Sequence, residues 1–451
     1  MRPVSGAPGE WPWLGHWPAF RADTTGFLLG LARTQGDVAR FRLGRRDAVL
    51  FSHPQQVRAV LIDHAADFTK GQLIRRARRL LGDGLLTSEG DLHRCQRRRI
   101  QPAFTTSKVQ QYAALVPDLA SRLTSQWENG SGIRVDTAMD GLTMSIVAKA
   151  LLGADIERQV PQVGAALRRL ARWAPLLALP GGRVLERSRL PVIGQLRAAI
   201  ELVEGVIAQR IAEGGASAPL LGALMNAGTQ DGPMPAQLIR DEVMTNFLAG
   251  QDTTATALTW IWLLLGAHPE VEARMLAELD QPDRPERTYT GWVIKEALRL
   301  YPPVGRIGRQ PTRDLELEGH QLRRGSAVFV SAYVTQRDAR WFPDPEMFRP
   351  DRWADSAHDR PPFAWFPFGA GPRSCIGEHF SRAVMLEVVE TISRHWRLRP
   401  TRAGVPAVRS LLTLKPRGPV WMVAERRWPG RESDLSGSVD SVMMHRPVRR
   451  A

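Results

Sequence analysis

Over the first sixty residues the hydrophobic pattern changes from that of short strands to that of a helix. Residues 3–18 are rich in proline and tryptophan, which predicts an extended lead-in, because proline fixes φ and removes a backbone donor. Val38–Leu43 and Ala48–Phe51 are predicted strands, joined by a turn at Gly44-Arg45-Arg46. A helix is predicted over Pro54–Leu61, since proline suits the first helical turn.

From about residue 89 to residue 270, apolar residues recur every three or four positions, the spacing of a buried helical face. The predicted helices of this stretch are Ala113–Trp127, Ala138–Leu152, Pro161–Trp173, Gly194–Glu213 and a long helix over Pro235–Ala267. A shorter helix over Trp292–Tyr301 ends where a proline follows, because the residue before a proline avoids the helical conformation. Two further strands and a last helix are predicted at Leu315–Leu317, at Ala327–Ser331, and from Gly377 to about His395. The pattern therefore predicts a mainly α chain with a minor β portion.

The composition is that of a folded domain, because 43% of the 451 residues are hydrophobic and 24% are charged. The last ~25 residues are instead rich in serine, glycine and arginine and are predicted to be disordered. We therefore divide the chain into a domain over residues 1–425 and a basic tail over residues 426–451.

Lysine and arginine outnumber aspartate and glutamate by 61 to 46, a net charge of +15. Such an excess suits nucleic acid, an anionic membrane or an acidic protein as partner. The arginines cluster at Arg75–Arg79, Arg94–Arg99 and the C-terminus without a nucleic-acid-binding motif, so no nucleic acid is expected and most of the charge is interpreted as solvated surface. No apolar run could span a bilayer and no secretory signal is visible. A cytoplasmic monomer is expected, with contact at a membrane surface left open.

The two cysteines fit a reducing compartment and have different contexts. Cys95 lies among arginines in a helical stretch and carries no motif. Cys375 lies in the glycine-rich segment Phe368-Gly369-Ala370-Gly371-Pro372-Arg373-Ser374-Cys375-Ile376-Gly377. Glycines let the backbone approach a flat cofactor, and backbone amides with the following helix N-terminus favour a thiolate over a thiol. A thiolate ligand on haem iron favours cleavage of the dioxygen O–O bond.

This segment resembles the haem-binding motif of the cytochrome P450 family, F-x-x-G-x-x-x-C-x-G, at Phe368, Gly371, Cys375 and Gly377. The resemblance implies a haem b cofactor with Cys375 as its thiolate ligand and with Phe368 and Gly377 against the ring. It also implies the family's fold, a mostly α triangular prism with the haem between the long helix and the helix after Cys375.

A second resemblance lies in Glu296-Ala297-Leu298-Arg299, which matches the family's E-x-x-R. Residues three apart share one helical face, so Glu296 and Arg299 can interact. In the family this pair joins a downstream arginine in a structural triad, and Arg352 stands where that arginine is expected. These residues are assigned to folding and haem retention.

The middle of the long helix, Ala249-Gly250-Gln251-Asp252-Thr253-Thr254, is similar to the family's oxygen-activation motif. The resemblance implies that Thr253 hydrogen-bonds the oxygen being activated and that Asp252 helps to relay protons. An acid and a hydroxyl are suitable groups for such transfers.

Haem also carries two propionates, which need cationic partners. His93 and Arg97, one helical turn apart, together with Arg309 and Arg373, match family positions that serve this purpose. Four further arginines are alternatives: Arg94, Arg98, Arg99 and Arg306.

The resemblance implies a monooxygenase that uses dioxygen and two electrons from a separate ferredoxin or flavodoxin with its reductase. The alternatives are a fatty-acid hydroxylase or peroxygenase and a non-catalytic haem sensor; Asp252 and Thr253 argue against a peroxide-driven reaction or a sensor. Substrate choice is expected to depend on Phe68–Leu86, Trp173–Arg189 and Val304. Similarity to bacterial carotenoid-ring hydroxylases favours a small apolar carotenoid or terpenoid as the substrate.

Overall fold

A computed structural model describes residues 9–153, 219–225, 234–281, 288–354, 360–410 and 412–427, with a few single positions between 164 and 212. Within these ranges the α-helices are α1 (Trp17–Ala22), α2 (Thr24–Gln35), α3 (Pro54–Arg58), α4 (Gln72–Leu81), α5 (Gly90–Ile100), α6 (Thr106–Ala113), α7 (Val116–Thr124), α8 (Val135–Leu152), α9 (Pro219–Met225), α10 (Ala236–Ala267), α11 (Pro269–Leu279), α12 (Thr288–Leu300), α13 (Ala332–Thr335) and α14 (Glu378–Ser393). Helix therefore dominates the described chain, as the sequence predicts.

The strands are short and belong to small sheets. They are β1 (Val38–Leu43), β2 (Arg46–Phe51), β3 (Phe68–Lys70), β4 (Ser131–Arg134), β5 (Ile307–Pro311), β6 (Leu315–Leu317), β7 (His320–Leu322), β8 (Ala327–Val330), β9 (Trp396–Pro400), β10 (Val408–Ser410), β11 (Leu414–Pro416) and β12 (Trp421–Arg426). The largest sheet has the order β1-β2-β8-β5-β3, in which only β2 and β8 run parallel. A three-stranded sheet, β4-β12-β9, and the hairpins β6-β7 and β10-β11 complete the β portion.

Helix α10 forms the centre of the main hydrophobic core. Trp260 and Trp262 are almost fully buried, and the Trp260 ring stacks on Tyr301 with centroids 3.9 Å apart. Helix α10 packs on α8 at Gly250, where an added Cβ would lie 3.4 Å from the Val147 side chain, at the short end of ordinary contact. The helix begins at Ala236, one residue later than predicted, and ends at Ala267 as predicted, before a second proline at residue 269. Because α10 is surrounded by protein, the polar residues in its middle are expected to face a space inside the molecule.

Two predicted helices are interrupted. Ala113–Trp127 is wrong as one helix: α6 ends at Ala113 and α7 begins at Val116, because Pro117 can start a helix but cannot continue one. Pro54–Leu61 is wrong in its second half, where Ala59–Asp63 forms a π-helical turn. Such turns are uncommon and often lie at functional sites.

Other predictions hold to within a few residues or lie outside the described chain. The strands at residues 38–43 and 315–317 are observed as predicted, and β2 begins two residues early, at Arg46. Arg427, the last of the described residues, has a buried side chain that pairs with Asp280. The predicted helices Pro161–Trp173 and Gly194–Glu213, the segment Trp173–Arg189 and residues 428–451 lie outside the ranges described.

No helix among the described residues is long and apolar enough to cross a membrane.

Candidate active site

The glycine-rich segment forms a tight loop that leads into α14. The amide of Cys375 donates to the Phe368 carbonyl at 2.9 Å, which closes the loop. Gly369 and Gly371 have φ of +71° and +70°, a conformation that favours glycine. A Cβ at Gly371 would also lie 2.2 Å from the Leu61 carbonyl oxygen, so the π-helical turn leaves room only for glycine. The unpredicted π turn therefore shapes the surroundings of Cys375.

The Cys375 side chain is accessible to solvent although protein surrounds it closely, which places it on the wall of an interior cleft. Burial raises the pKa of the thiol above its usual value, while the Gly377 amide and Arg97 act in the opposite direction. The protein alone therefore favours a neutral thiol. A bound metal cation would supply the missing stabilisation, because a coordinating thiol loses its proton.

Helix α10 presents an exposed stripe to an interior space. Ala249 is exposed, and Gly250 and Thr253 are partly exposed, although most of the helix around them is buried. The Thr253 hydroxyl donates to the Ala249 carbonyl at 2.7 Å, so its oxygen can still accept a hydrogen bond from the cleft. The next residue, Thr254, lies 3.1 Å from the Ser381 hydroxyl of α14. This bond holds the stripe beside the helix that follows Cys375.

Asp252 is turned toward the β10–β11 hairpin. One carboxylate oxygen accepts from the Thr413 hydroxyl at 2.8 Å, and the other lies 2.5 Å from the Lys415 ammonium. Burial alone would lower the pKa of Lys415, but Asp252 and Asp140 outweigh it and raise that pKa. Lys415 is thus a charged partner of Asp252 that the sequence motif gave no sign of.

The four predicted propionate partners lie close together. His93 and Arg309 are buried, and Arg97 donates to the Ser374 carbonyl at 2.8 Å. Burial, followed by repulsion from Lys70 and then Arg373, lowers the pKa of His93 to about 4. His93 is therefore neutral at neutral pH, and the cluster owes its positive charge to the surrounding arginines and lysine.

Lys70 is a fifth member of this cluster that sequence reasoning missed. It ends the short strand β3, is buried, and donates to the carbonyls of Leu85 and Ser88 at 2.8 and 2.7 Å. Burial lowers its pKa to about 8. Glu89 bonds to Arg373 at 3.0 Å and accepts from the Lys70 amide, which leaves an excess of positive charge in the cluster. A buried cluster with this excess fits an anionic group such as a propionate pair.

Two of the alternative arginines point elsewhere. Arg94 is exposed and pairs with Asp91 at the surface of α5. Arg306 donates to the Ser410 hydroxyl at 3.2 Å and lies over the Phe20 ring. Both therefore have local roles apart from the cluster, in contrast to Arg309.

The two remaining predicted cofactor contacts flank Cys375. The Phe368 ring lies 6.5 Å from the Trp365 ring, and Arg382 covers both rings. Gly377 precedes α14, and its amide points to the sulfur. A Cβ there would make only ordinary contact with protein, 3.8 Å from Phe104. The described protein atoms thus do not by themselves require glycine at this position.

Glu296, Arg299 and Arg352 form the predicted triad. Glu296 and Arg299 are fully buried and share two bonds of 2.9 and 2.8 Å, and Arg352 donates to the same carboxylate at 2.9 Å. Arg299 also donates to three backbone carbonyls, those of Gln336, Pro345 and Met347. The triad therefore fixes the irregular chain between α13 and the cysteine loop.

Gln336 extends the triad toward the cysteine, and the sequence gave no signal for this role. Its side-chain amide donates to the carbonyls of Leu298 and Arg299, and its oxygen accepts from the Phe366 amide at 2.9 Å. Phe366 lies two residues before the glycine-rich segment that contains Cys375. The buried network and the loop are thus joined through one side chain.

Comparisons with known proteins find relatives that cover most of this chain. A family model described as Cytochrome P450 matches residues 5–421. Cyclooctat-9-en-7-ol 5-monooxygenase of Streptomyces melanosporofaciens is 36% identical over 93% of this chain and 95% of its own length. Pentalenene oxygenase of Streptomyces avermitilis is 30% identical over 87% of this chain and 90% of its own. A six-coordinated cytochrome P450 from Thermus thermophilus has a similar structure, with a TM-score of 0.71 and 26% identity, covering 89% of this chain and 98% of that one.

Proposed function

The chain belongs to the cytochrome P450 family of haem-thiolate monooxygenases, and we propose that it hydroxylates a cyclic terpenoid. One oxygen atom of dioxygen enters the substrate, and two electrons arrive from a separate redox partner. The observation that carries this proposal is that the Cys375 loop lies beside the cleft-facing stripe of α10. The hydrogen bond between Thr254 of α10 and Ser381 of α14 holds the two together.

The residues present fit haem b. Cys375 is its proposed thiolate ligand, and the excess positive charge around His93 is suited to the two propionates, which Arg97, Arg309 and Arg373 would hold. Lys70 adds charge to the same cluster. When bound, thiolate-ligated haem supplies the cleavage of dioxygen and the transfer of one oxygen atom.

The protein's own part in the proposed mechanism is proton transfer. The Thr253 oxygen can accept a hydrogen bond from the cleft while its hydroxyl donates to the Ala249 carbonyl. Asp252 is the preceding residue, and its carboxylate pairs with Lys415 and accepts a hydrogen bond from the Thr413 hydroxyl. We assign Thr253 to pass its hydroxyl proton into the cleft, and Asp252 to relay a replacement proton to Thr253 from the Lys415 ammonium, which lies 2.5 Å from the Asp252 carboxylate.

The electron donor is proposed to be a ferredoxin or flavodoxin with its reductase. Such carriers are commonly acidic, and the +15 charge of this chain would attract them. Rapid association at low salt that weakens as salt is added is the expected sign of this attraction.

A terpenoid is the proposed substrate because two relatives that cover most of this chain carry names that specify terpenoid compounds, a cyclooctatenol and pentalenene. Apolar side chains near the cleft also suit such a molecule: Val304 and Leu412 are 39% and 42% exposed. The segments that carry them are joined by the Leu414 amide, which donates to Pro303 at 2.9 Å.

The test is turnover by purified, haem-loaded protein with a surrogate ferredoxin, its reductase and isotopically labelled dioxygen. The substrates offered are cyclic sesquiterpenes and diterpenes with their alcohols, a carotenoid, and saturated fatty acids. The proposal predicts monohydroxylated terpenoids that contain one labelled oxygen atom, and no product from Cys375→Ser. Turnover of fatty acids or the carotenoid alone would contradict the substrate class, and peroxide-driven turnover that is insensitive to dioxygen would contradict the reaction.

A further inference from the structure

Several large apolar side chains are exposed together near the N-terminus. Trp13 is 82% exposed, Trp11 61%, Leu14 48% and Trp17 37%. Single exposed apolar side chains are common, but a contiguous group marks a surface that meets another apolar phase. The function proposed above uses none of these residues.

The turn that carries these side chains is firmly held. The amides of Trp11 and Gly15 each donate to the other residue's carbonyl at 2.9 Å. His16 donates to the Arg42 carbonyl at 2.7 Å, which fixes the turn on β1. Trp13 has a φ of +64°, a conformation that is costly for a side chain of this size. The exposure is therefore a built feature of the fold.

Basic residues continue the same surface. The Gly44 amide at the tip of the β1–β2 hairpin donates to the Leu14 carbonyl at 2.9 Å, so the tip touches the turn. Arg45 at this tip is exposed, and Arg46 donates to Gln72 of α4 at 3.0 Å. We call residues 11–17, the tip at residues 44–46 and α4 the tryptophan–arginine face.

Helix α4 has the composition of a helix that lies on a charged interface. Its sequence, QLIRRARRLL, combines four arginines with four large apolar residues, and it contains no acidic residue. Arg75 is exposed, while Leu73 and Ile74 are partly exposed. Burial and then repulsion from Arg76 and Arg75 lower the pKa of Arg46, which places the hairpin tip within reach of the α4 charges.

We propose that the tryptophan–arginine face binds the surface of an anionic lipid bilayer. Tryptophan rings are favoured at the level of lipid headgroups, because one side of the ring is apolar and its N–H is polar. Arginines beside them are attracted to acidic headgroups. An acidic protein partner would account for the arginines but leave the protruding rings of Trp11 and Trp13 in water. The contact is peripheral, and it brings the enzyme to the phase in which apolar molecules dissolve.

The test is flotation of the haem-loaded, full-length protein with vesicles of equimolar phosphatidylglycerol and phosphatidylcholine, and with phosphatidylcholine alone. Binding to the anionic vesicles is expected, and raised salt should weaken it. The double variant Trp11→Ser, Trp13→Asn should lower the bound fraction ~10-fold, and asparagine is chosen at residue 13 because it tolerates the positive φ there. The double variant Arg45→Glu, Arg75→Glu should lower the bound fraction by a similar factor. Brominated lipids should quench the tryptophan fluorescence of the wild type, and the tryptophan variant should lose that part of the quenching.

Matched controls lie elsewhere on the surface. Trp421 is 48% exposed and Arg402 is exposed, so Trp421→Ser and Arg402→Glu should bind as the wild type does. The proposal is overturned if the wild type stays unbound, if these controls lose binding as strongly as the face variants, or if the face variants bind normally. It is also overturned if the wild type is a dimer that the face variants dissociate, since the face would then join two copies of this chain. None of these results depends on turnover, so the proposed function is tested separately.

Discussion

At the scale of the residue, the state of the Cys375 sulfur results from opposing influences. Burial favours the neutral thiol, while the Gly377 amide and Arg97 favour the thiolate. The adjacent carboxylate of Glu378 adds to the effect of burial. The described protein groups therefore do not stabilise the thiolate fully by themselves, and cofactor binding and loss of the thiol proton are expected to occur together.

Thr253 offers the sharpest test of proton delivery. Thr253→Val keeps the side-chain volume but removes the hydroxyl that faces the cleft, so haem content should be unchanged. Product formed per electron consumed should fall by roughly 100-fold, the lower end of the contribution of a positioned proton-transfer group. Thr259→Val is the matched control, because its hydroxyl is buried and bonds only locally, to Ala255 at 2.8 Å. If Thr253→Val and Thr259→Val form the same amount of product per electron consumed, the role assigned to Thr253 is contradicted.

The site could be predicted from the sequence where chemistry lies in consecutive residues. The motifs around Cys375 and Thr253 were visible in this way, and the structure brings both to interior clefts. Lys70, Gln336 and Lys415 gave no signal, because each acts on a partner far away in the chain: the His93 cluster, the Phe366 amide or Asp252. From the sequence alone, a lysine or glutamine without a motif is interpreted as a surface residue, because its partner becomes visible only in the fold.

At the scale of the element, α10 connects the cleft to the segment that precedes α5. Asp241 accepts from the Asp83 amide at 2.8 Å, and Glu242 accepts from the Leu85 amide at 3.0 Å. Gly84 allows this contact, because a Cβ there would lie 2.1 Å from the Thr245 hydroxyl. The first turns of α10 thus fix a segment within the range predicted to govern substrate choice.

The carboxyl group of Glu242 gives this contact a pH dependence. Burial raises its pKa from 4.5 to about 8. The folded chain therefore keeps a proton that the unfolded chain has already released, and stability is lost as the pH rises from about 4.5 to about 8. Glu242→Gln should remove this loss and stabilise the protein by ~2–4 kcal/mol at the upper end of the range.

Thermal unfolding of the haem-loaded variants between about pH 5 and about pH 8 measures this effect. Glu270→Gln, at an exposed position of α11, is the control and should follow the wild type. The wild-type midpoint of thermal unfolding should fall below that of Glu242→Gln as the pH rises. If it does not, Glu242 is already ionised in the folded protein.

Element prediction succeeded where periodicity alone decides and failed where packing interrupts it. The long helix was placed to within one residue, because its apolar pattern is continuous and a proline stands at each end. The break between α6 and α7 and the π turn at Ala59–Asp63 were missed. Both preserve a helical pattern of side chains while changing the backbone, and the π turn is understood only from its contact with Gly371.

At the scale of the whole molecule, the predicted P450 fold is confirmed by the family match over residues 5–421 and by the structural neighbour at a TM-score of 0.71. The Glu296 network joins α12 to the irregular chain before the cysteine loop. Glu296 also accepts from the Trp353 side chain at 3.0 Å and the Arg349 amide at 3.1 Å. One buried carboxylate thus organises a segment far from it in sequence.

Loss of the Glu296 carboxylate charge should weaken haem retention before it affects the reaction itself. Glu296→Gln leaves the Arg299 and Arg352 guanidinium groups buried beside a neutral amide, which should destabilise the fold by ~3–5 kcal/mol. Urea unfolding and the rate of haem transfer to apomyoglobin measure the effect. Glu316→Gln, at an exposed position in β6, is the control. If Glu296→Gln is as stable as the wild type but turns over more slowly, Glu296 has a catalytic role and this account is contradicted.

The most direct test of the central claim is the carbon monoxide difference spectrum of the dithionite-reduced protein beside Cys375→Ser. The account predicts the strongly red-shifted Soret band of a thiolate-ligated ferrous carbonyl in the wild type and its absence in the variant. Cys95→Ser should keep the band, because Cys95 lies in α5 outside the cysteine loop. A wild-type band at the shorter wavelength of a nitrogen-ligated haem in folded protein, or a red-shifted band that survives Cys375→Ser, would contradict it.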